Sequence, residues 1–199
     1  CVLLGPGLGL SRTSRELAER VLSAWRGPVV VDADALTAFE GTAERLGELL
    51  KGRPAIITPH AVEAQRLAGV AAADIDAGRF EAAALLAQRV RATVLLKGVP
   101  TVVSDGTRTV VVAAGTPVLA TGGSGDLLGG VVATLLAQTE DPIASAASGA
   151  WVHGRAAELA TALLRCRRDS IRVEVVDGAS RGRRARLCLL LLRPSRDGG

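Results

Sequence analysis

Short apolar runs of Val, Ile and Leu alternate with amphipathic segments along most of the chain, and this alternation constrains the fold more than any other feature. The runs are apolar on both faces, as in strands of a parallel sheet that helices cover on both sides. We therefore predict an α/β fold with a mostly parallel central sheet. The predicted strands lie at residues 2–4, 28–31, 55–58 and 93–96. The predicted helices lie at 11–25, 42–50, 60–68, 76–91 and 142–164, and another follows a Gly-rich turn and ends near residue 138.

One antiparallel element is expected within this pattern. Two further predicted strands, at residues 101–104 and 108–112, flank the dipeptide formed by Asp105 and Gly106. This dipeptide favours a type I′ hairpin turn, because both central residues of such a turn need positive φ. The sequence therefore predicts a β-hairpin after the fourth strand.

The positive charge of the chain is confined to its end. The 199 residues carry a formal charge of +4, but residues 165–199 hold ten Arg and a net charge of +6, which leaves residues 1–164 at −2. The overall charge is therefore no evidence for nucleic-acid binding. The apolar runs are far shorter than the ~20 residues needed to span a bilayer. We expect a cytoplasmic protein without nucleic-acid or membrane partners, in which Cys1, Cys166 and Cys188 are free thiols.

Both ends of the chain differ from those expected of a complete domain. The sequence contains no Met and opens with Cys1 inside an apolar run, so we expect the N-terminal part of the domain to be missing. We assign residues 1–164 to one partial α/β domain. Residues 165–199 form an Arg-rich tail with five Leu around Cys188 and one candidate strand at 172–176. We expect this tail to be foreign to the fold.

The strongest local signal is a Gly-rich turn that leads into a helix. Gly122, Gly123, Ser124 and Gly125 precede Asp126, and small residues at a helix start leave backbone N–H groups accessible to an anion. A carboxylate beside a bound phosphate is unfavourable unless it accepts the proton of an attacking hydroxyl or holds a metal ion. The segment therefore predicts an anion hole with a functional Asp126, and the alternative is an ordinary helix start with Asp in its first turn.

A lysine marks the end of the fourth predicted strand. The chain has only two Lys, Lys51 and Lys97, and otherwise uses Arg as its basic residue. A compact ammonium group can contact a phosphate where a planar guanidinium would not fit. We therefore consider Lys97 a candidate phosphate ligand, with a solvated lysine at a strand end as the alternative.

Polar or Gly-rich segments also follow the first three strands. They are the turn at residues 5–9, the acidic pair Asp32 and Asp34, and His60 with Glu63. The acidic pair could bind a metal or cap the next helix, and His60 could be a ligand contact or an ordinary helix-start residue. Because the carboxyl ends of parallel strands share one edge of a sheet, we expect these segments to form one active site.

One histidine lies apart from these segments. His153 falls in the middle of the last predicted helix, near Trp151. We interpret it as a packed or partly exposed residue and not as a catalyst.

Taken together, these segments resemble the ADP- or ATP-dependent NAD(P)H-hydrate dehydratases of the ribokinase-like superfamily. The resemblance covers about residues 2–160. It is carried, in the family's order, by Gly5-Pro-Gly-Leu-Gly9, Asp32-Ala-Asp-Ala-Leu36, Thr58-Pro-His60 with Glu63 and Arg66-Leu67, Lys97-Gly98, and Gly122-Gly-Ser-Gly-Asp126. Family members have a further segment before the first of these motifs and a different ending after residue 164.

The resemblance implies repair of damaged nicotinamide cofactors. The implied substrate is the 6S-hydrate of NADH or NADPH, whose added hydroxyl is phosphorylated by ADP, or by ATP in some members, before phosphate leaves and the ring double bond is restored. The forms of the His60 and Asp126 motifs resemble the ADP-using bacterial branch. Mg²⁺ is implied as the ion that neutralises the phosphates, and a homo-oligomer is implied for the complete protein.

The resemblance also implies roles for individual residues. Gly9, His60 and Asp126 would contact the hydrated dinucleotide, with Asp126 as general base on the hydroxyl. The nucleotide would be bound by Gly125 and by a loop of five residues: Lys97, Gly98, Val99, Pro100 and Thr101. Two alternatives remain, a vitamin-precursor kinase of the hydroxyethylthiazole or hydroxymethylpyrimidine type and a fragment that binds nucleotides without turnover.

Overall fold

A six-stranded sheet forms the centre of the protein, for which a computed structural model describes residues 1–69 and 72–166. The spatial order of the strands follows their order in the chain. The first four strands are parallel and the last two antiparallel. They are β1 (Val2–Leu4), β2 (Val29–Val31), β3 (Ala55–Ile57), β4 (Thr93–Leu96), β5 (Thr101–Ser104) and β6 (Thr109–Val112). The predicted α/β class and the mostly parallel sheet are confirmed.

Helices cover both faces of this sheet. They are α1 (Arg12–Ala24), α2 (Ala33–Thr37), α3 (Ala43–Leu50), α4 (Ala61–Ala68), α5 (Ala72–Ala77), α6 (Arg79–Val90), α7 (Ser124–Thr139) and α8 (Pro142–Cys166), with a 3-10 turn at Pro117–Leu119. Alternate side chains of β2 enter different cores: Val29 and Val31 pack with residues of α1 to α6, whereas Val30 packs with residues of α7 and α8. This alternation is the reason why the strand is apolar at every position.

Two local predictions are wrong. The single helix predicted at 76–91 is two helices, α5 and α6, because the chain breaks its helical geometry at Gly78, which has φ −122° and ψ 52°. The hairpin turn is not type I′, since Gly106 has φ +89° but Asp105 does not have positive φ. Four residues separate β5 from β6, and the Asp105 carboxylate accepts hydrogen bonds from the backbone N–H groups of Thr107 and Arg108. These bonds stabilise a longer loop than the dipeptide alone predicts.

Several expectations concern the end of the chain. Residues 1–158 form one compact unit, and residues 159–199 are assigned to a second, of which the last part of α8 is described. The candidate strand at 172–176 and Cys188 lie outside the described residues. Within the described part of the chain, no helix has the length and apolar character needed to cross a membrane.

Candidate active site

The carboxyl ends of the four parallel strands meet at one edge of the sheet, as predicted. Backbone hydrogen bonds continue beyond the ladders there, from Asp32 N to Leu4 O (3.0 Å), from Thr58 N to Val31 O (3.1 Å) and from Lys97 N to Pro59 O (2.8 Å). These bonds fix the segments that follow the strands against one another. The polar residues are therefore held by the sheet itself.

The Lys97 ammonium lies between two carboxylates at this edge. Its Nζ is 2.8 Å from Oδ1 of Asp32 and 3.6 Å from Oε2 of Glu63. The Asp32 side chain is 2% exposed and the Lys97 side chain 21% exposed, so the pair is largely screened from water. Asp32 Oδ1 also accepts a hydrogen bond from Ala33 N at the start of α2. Asp32 thus caps a helix, as one of the two predicted roles requires, and also holds the lysine that we selected as a phosphate ligand.

The Gly-rich turn brings the start of α7 to this ion pair. A Cβ built on Gly125 would lie 3.6 Å from Lys97 Nζ and 3.8 Å from Asp32 Oδ2. Gly123 is the N-cap of α7 with φ +84°, a conformation that glycine adopts without steric cost. No atom of the described residues lies within 4 Å of a Cβ built on Gly122 or Gly123, so within that part of the chain the approach to the turn is open. Asp126 is exposed in the first turn of the helix.

His60 is fixed by its helix while its side chain remains half exposed. Its Nδ1 accepts hydrogen bonds from the N–H groups of Val62 (3.1 Å) and Glu63 (3.3 Å), and Oε2 of Glu63 accepts one from His60 N (2.8 Å). These hydrogen bonds form a capping box at the start of α4. Because the same Glu63 oxygen lies 3.6 Å from Lys97 Nζ, the cap also connects His60 to the ion pair.

The first glycine turn is attached to the end of β2. Gly9 N donates a 2.7 Å hydrogen bond to Oδ2 of Asp34. A Cβ on Gly5, which has φ +133°, would lie 1.7 Å from the carbonyl oxygen of Asp32, so only glycine permits this approach. Asp34 therefore positions the turn that contains Gly9.

His153 lies closer to this region than its sequence position suggests. Its Nε2 is 3.3 Å from Oγ of Ser124, the first residue of α7. The residue is half-buried, as expected, and burial lowers the pKa of its imidazole. No local sequence pattern indicates this contact, because Ser124 and His153 are 29 positions apart in the chain.

Arg79 is the residue that the sequence analysis missed. It is buried at the start of α6, and among the described residues its guanidinium donates to the carbonyl oxygens of Leu96 (3.3 Å), Lys97 (2.9 Å) and Pro100 (3.2 Å). The signal that could have revealed it is the helical spacing, since Arg79 falls on the same face as Ala83, Leu86 and Val90. A charged residue on a buried helix face requires partners.

Comparisons with known proteins agree on one family. The profile of the family described as NAD(P)H-hydrate dehydratase matches residues 1–167. A bifunctional NAD(P)H-hydrate repair enzyme from Salinibacter ruber is 42% identical over 158 residues, which are 79% of this chain and 29% of that protein. An ADP-dependent (S)-NAD(P)H-hydrate dehydratase from Neisseria meningitidis is 40% identical over 159 residues, which are 79% of this chain and 54% of that protein. The chain thus spans about a third to about half of these relatives.

The fold is also similar to those of solved structures, one of which carries the name of this family. The ADP/ATP-dependent NAD(P)H-hydrate dehydratase from Bacillus subtilis, co-crystallised with ATP/Mg²⁺, has a TM-score of 0.68 and 30% identity, with 80% of this chain and 55% of that chain covered. A ribokinase-like superfamily protein from Enterococcus faecalis has a TM-score of 0.66 and 28% identity, with 80% and 55% covered. A hydroxyethylthiazole kinase from Pyrococcus horikoshii, at 19% identity and a TM-score of 0.52, shares the fold alone.

Proposed function

Because the chain belongs to the NAD(P)H-hydrate dehydratase family, we propose that it carries the active site for ADP-dependent dehydration of the hydrates of NADH and NADPH. One observation carries the proposal. The Lys97 ammonium lies 3.6 Å from the position that a Cβ of Gly125 would occupy, which joins a cation to the N-terminus of α7. A helix N-terminus beside an ammonium group is suited to a phosphate.

The proposed chemistry proceeds through a phosphate ester. The hydroxyl oxygen on the hydrated ring attacks the terminal phosphorus of ADP as its proton passes to a base, and the bond between that phosphorus and AMP breaks. Phosphate then leaves with the electrons of its bond to the ring carbon, assisted by the lone pair of the ring nitrogen. Loss of a proton from the neighbouring carbon restores the double bond. The products are NADH or NADPH, AMP and phosphate.

We assign Asp126 as the base that takes the hydroxyl proton. Its carboxylate is exposed in the first turn of α7, next to Gly125 and so within reach of a hydroxyl directed at a bound phosphate. Gly122, Gly123, Ser124 and Gly125 supply the anion hole in this proposal. Their open approach supports it, since a phosphate can reach the backbone without displacing a side chain.

Each of the remaining residues at this edge of the sheet is assigned to one of the two ligands. We propose that the nucleotide is bound by the loop at residues 97–101 with Gly125, and that the hydrated dinucleotide contacts Gly9, His60 and Asp126. The Gly9 turn and the His60 cap both lie at the ends of parallel strands and are fixed by Asp34 and Glu63. Fixed backbone groups bind a ligand with little loss of conformational freedom.

Mg²⁺ is proposed to enter with the nucleotide and to neutralise its phosphates. Among the described residues, no three His, Cys, Asp or Glu side chains form a group that could hold a metal ion. Asp32 and Glu63 both face the Lys97 ammonium. Mg²⁺ commonly keeps several waters and binds through phosphates with few protein carboxylates. The donor set therefore suits an ion held mainly by the nucleotide and by water.

The test is recovery of reduced nicotinamide from its hydrate. The purified chain, shown to be folded by circular dichroism, is incubated with NADH hydrate, ADP and Mg²⁺. We expect the absorbance of NADH to return while AMP and phosphate accumulate in equal amounts. A stable phosphomonoester would instead indicate a kinase, and ADP binding with no product would indicate a nucleotide-binding protein without turnover. Replacement of ADP by ATP tests the preference for the diphosphate.

Cellular location and assembly are further parts of the proposal. We propose that the protein acts in the cytoplasm, where its nicotinamide substrates occur and where exposed thiols such as that of Cys1 stay reduced. We also propose that the complete protein is a homo-oligomer without nucleic-acid or membrane partners. Light scattering coupled to size-exclusion chromatography measures the oligomeric state directly.

A further inference from the structure

We propose that Arg79 is a positioning residue for the nucleotide: its buried guanidinium fixes the backbone of the loop at residues 97–101, and so the place of the Lys97 ammonium. This inference rests on the proposed function, because it takes that loop as the nucleotide-binding loop.

The guanidinium attaches the loop to α6, in addition to the contacts that Lys97 makes with Pro59 and Asp32. Nη2 of Arg79 donates to the carbonyl oxygens of Leu96 and Lys97, and Nε donates to that of Pro100. These carbonyls lie at the start and near the end of the loop, so one side chain sets the distance between them. Only arginine has donors in a planar arrangement that can serve several acceptors at once.

Gly98, in the middle of the loop, packs closely against the guanidinium of Arg79. A Cβ on Gly98 would be 2.4 Å from Nη2 and 2.7 Å from Cζ of Arg79, closer than any side chain could approach. On the opposite side the loop is open to solvent, since Val99 is 93% exposed. Arg79 therefore supports the inner side of the loop and leaves the outer side accessible to a ligand.

This support determines where the lysine meets the anion hole. The carbonyl that accepts the 2.9 Å hydrogen bond from Arg79 is that of Lys97 itself, whose ammonium lies next to Gly125. Thr101 Oγ1 donates to Gly98 O at 3.1 Å, which closes the loop on itself. A shift of the loop would thus move the ammonium away from the phosphate site while the strands stay in place.

A second arginine on the same helix provides a matched control. Arg89 lies near the end of α6, and its guanidinium donates to Oε1 of Glu44 and to the carbonyl of Ala68, both at 2.8 Å. It therefore also connects α6 to neighbouring elements through a carboxylate and a carbonyl. Among the described residues, Arg89 makes no hydrogen bond or ion pair with the loop, so its substitution tests the effect of helix stability separately from that of the loop.

The experiment compares ADP binding by the wild type, Arg79→Lys and Arg89→Lys. Lysine keeps the charge, but its donors all diverge from one nitrogen and cannot replace the separate Nε and Nη2 donors of the guanidinium. We therefore expect the Kd for ADP of Arg79→Lys, measured by calorimetry, to rise about tenfold. In turnover assays the KM for ADP should rise similarly, while the KM for the hydrate and kcat change less than about twofold, as for loss of uniform binding. Arg89→Lys should bind ADP as the wild type does.

A second variant keeps the test decisive if Arg79→Lys does not fold. Gly98→Ala places a methyl group between the loop and the guanidinium, on the inner side of the loop, and it should weaken ADP binding in the same way. Wild-type affinity for ADP in folded Arg79→Lys, or in Gly98→Ala when Arg79→Lys does not fold, overturns the inference alone. An equal loss in Arg89→Lys also overturns it, because the effect would then be one of helix stability. Failure of the wild type to bind ADP overturns the proposed function as well.

Discussion

The Lys97 ammonium group lies where the segments that follow β2, β3 and β4 meet the start of α7. It is held by Asp32 after β2 and approached by Glu63 of α4, and it faces Gly125 at the start of α7. Two carboxylates beside one ammonium leave the cluster with a net negative charge. A phosphate that binds here meets an oriented cation whose charge is already partly neutralised, so the helix N-terminus and Mg²⁺ must supply the rest of the attraction.

Removal of the Lys97 charge should destabilise the fold more than removal of the other lysine. Lys97→Met leaves the buried Asp32 carboxylate without its partner, and we expect the free energy of unfolding to fall by about 2 kcal/mol, less than for a fully buried pair because Lys97 is partly exposed. Lys51→Met is the control, since Lys51 is exposed, and its effect should stay within about 0.5 kcal/mol. Urea unfolding measures both values, and equal effects would contradict a structural role for the pair.

Loss of the Asp126 carboxylate should abolish turnover without weakening the binding of ADP. Asp126→Asn keeps the shape of the side chain but cannot accept the hydroxyl proton, so we expect kcat to fall by about 10²–10⁴-fold. The Kd for ADP should change little. Glu140→Gln, at the exposed opposite end of α7, serves as the control and should keep wild-type turnover. An unchanged kcat in Asp126→Asn would exclude Asp126 as the base.

The burial of His153 should make stability depend on pH. Burial lowers its pKa below the ordinary value of 6.5, so the unfolded chain takes up a proton more readily than the folded one. Acidification through that value therefore favours unfolding, and His153 should contribute a fall in the free energy of unfolding as the pH decreases below 6.5. Urea titrations at several pH values should show a shallower fall for His153→Gln. Parallel curves for the two proteins would contradict this assignment.

At the scale of the elements, close backbone contact at a glycine joins two helices of one face. A Cβ on Gly47 of α3 would lie 2.7 Å from the carbonyl oxygen of Arg89 on α6. Gly130 of α7 differs, because no atom in the described part of the chain lies within 4 Å of its Cβ position. The same residue type therefore serves packing at one position and costs helix stability at the other.

Alanine at these two glycines should have opposite effects. Gly47→Ala should lower the free energy of unfolding by about 1–3 kcal/mol, since α3 and α6 must move apart. Gly130→Ala should raise it by about 0.5–1 kcal/mol, because alanine has the higher helix propensity and space is available. Thermal and urea unfolding of both variants measure the difference. Destabilisation by Gly130→Ala would contradict the open space at this position.

The sequence was sufficient to predict the strands and the edge at which their ends meet. Apolar runs and the residues that follow them are local signals, and the parallel arrangement turns them into a common edge. The break at Gly78, the hairpin loop and the contacts of Arg79 were not predictable in this way. The hairpin loop depends on hydrogen bonds that the Asp105 side chain accepts within the loop, and Arg79 donates to carbonyls 17 to 21 residues away. Periodicity reports which face of an element is buried, but not what it contacts.

At the scale of the whole molecule, the last part of the chain differs in composition from the rest, since residues 165–199 hold ten Arg. The family profile ends at residue 167, close to the limit that we place at residue 164. We propose that residues 168–199 contribute nothing to the stability of the domain. Deletion of this segment should leave the midpoint of thermal unfolding unchanged and abolish retention on a cation exchanger at neutral pH, because the basic excess lies in the tail. A large loss of thermal stability would refute this proposal.

The agreement between strand order in space and in sequence has a consequence for synthesis of the protein. Each strand pairs with the one made just before it, so the sheet can grow along one direction as the chain leaves the ribosome. Among the described strands, none is inserted between two that are already paired. The residues proposed to hold the phosphates are made after most of the sheet, because Lys97 follows β4 and the start of α7 follows the hairpin. The core that contains Val29 and Val31 is built from segments that precede α7, so it can form before the Gly-rich turn is made.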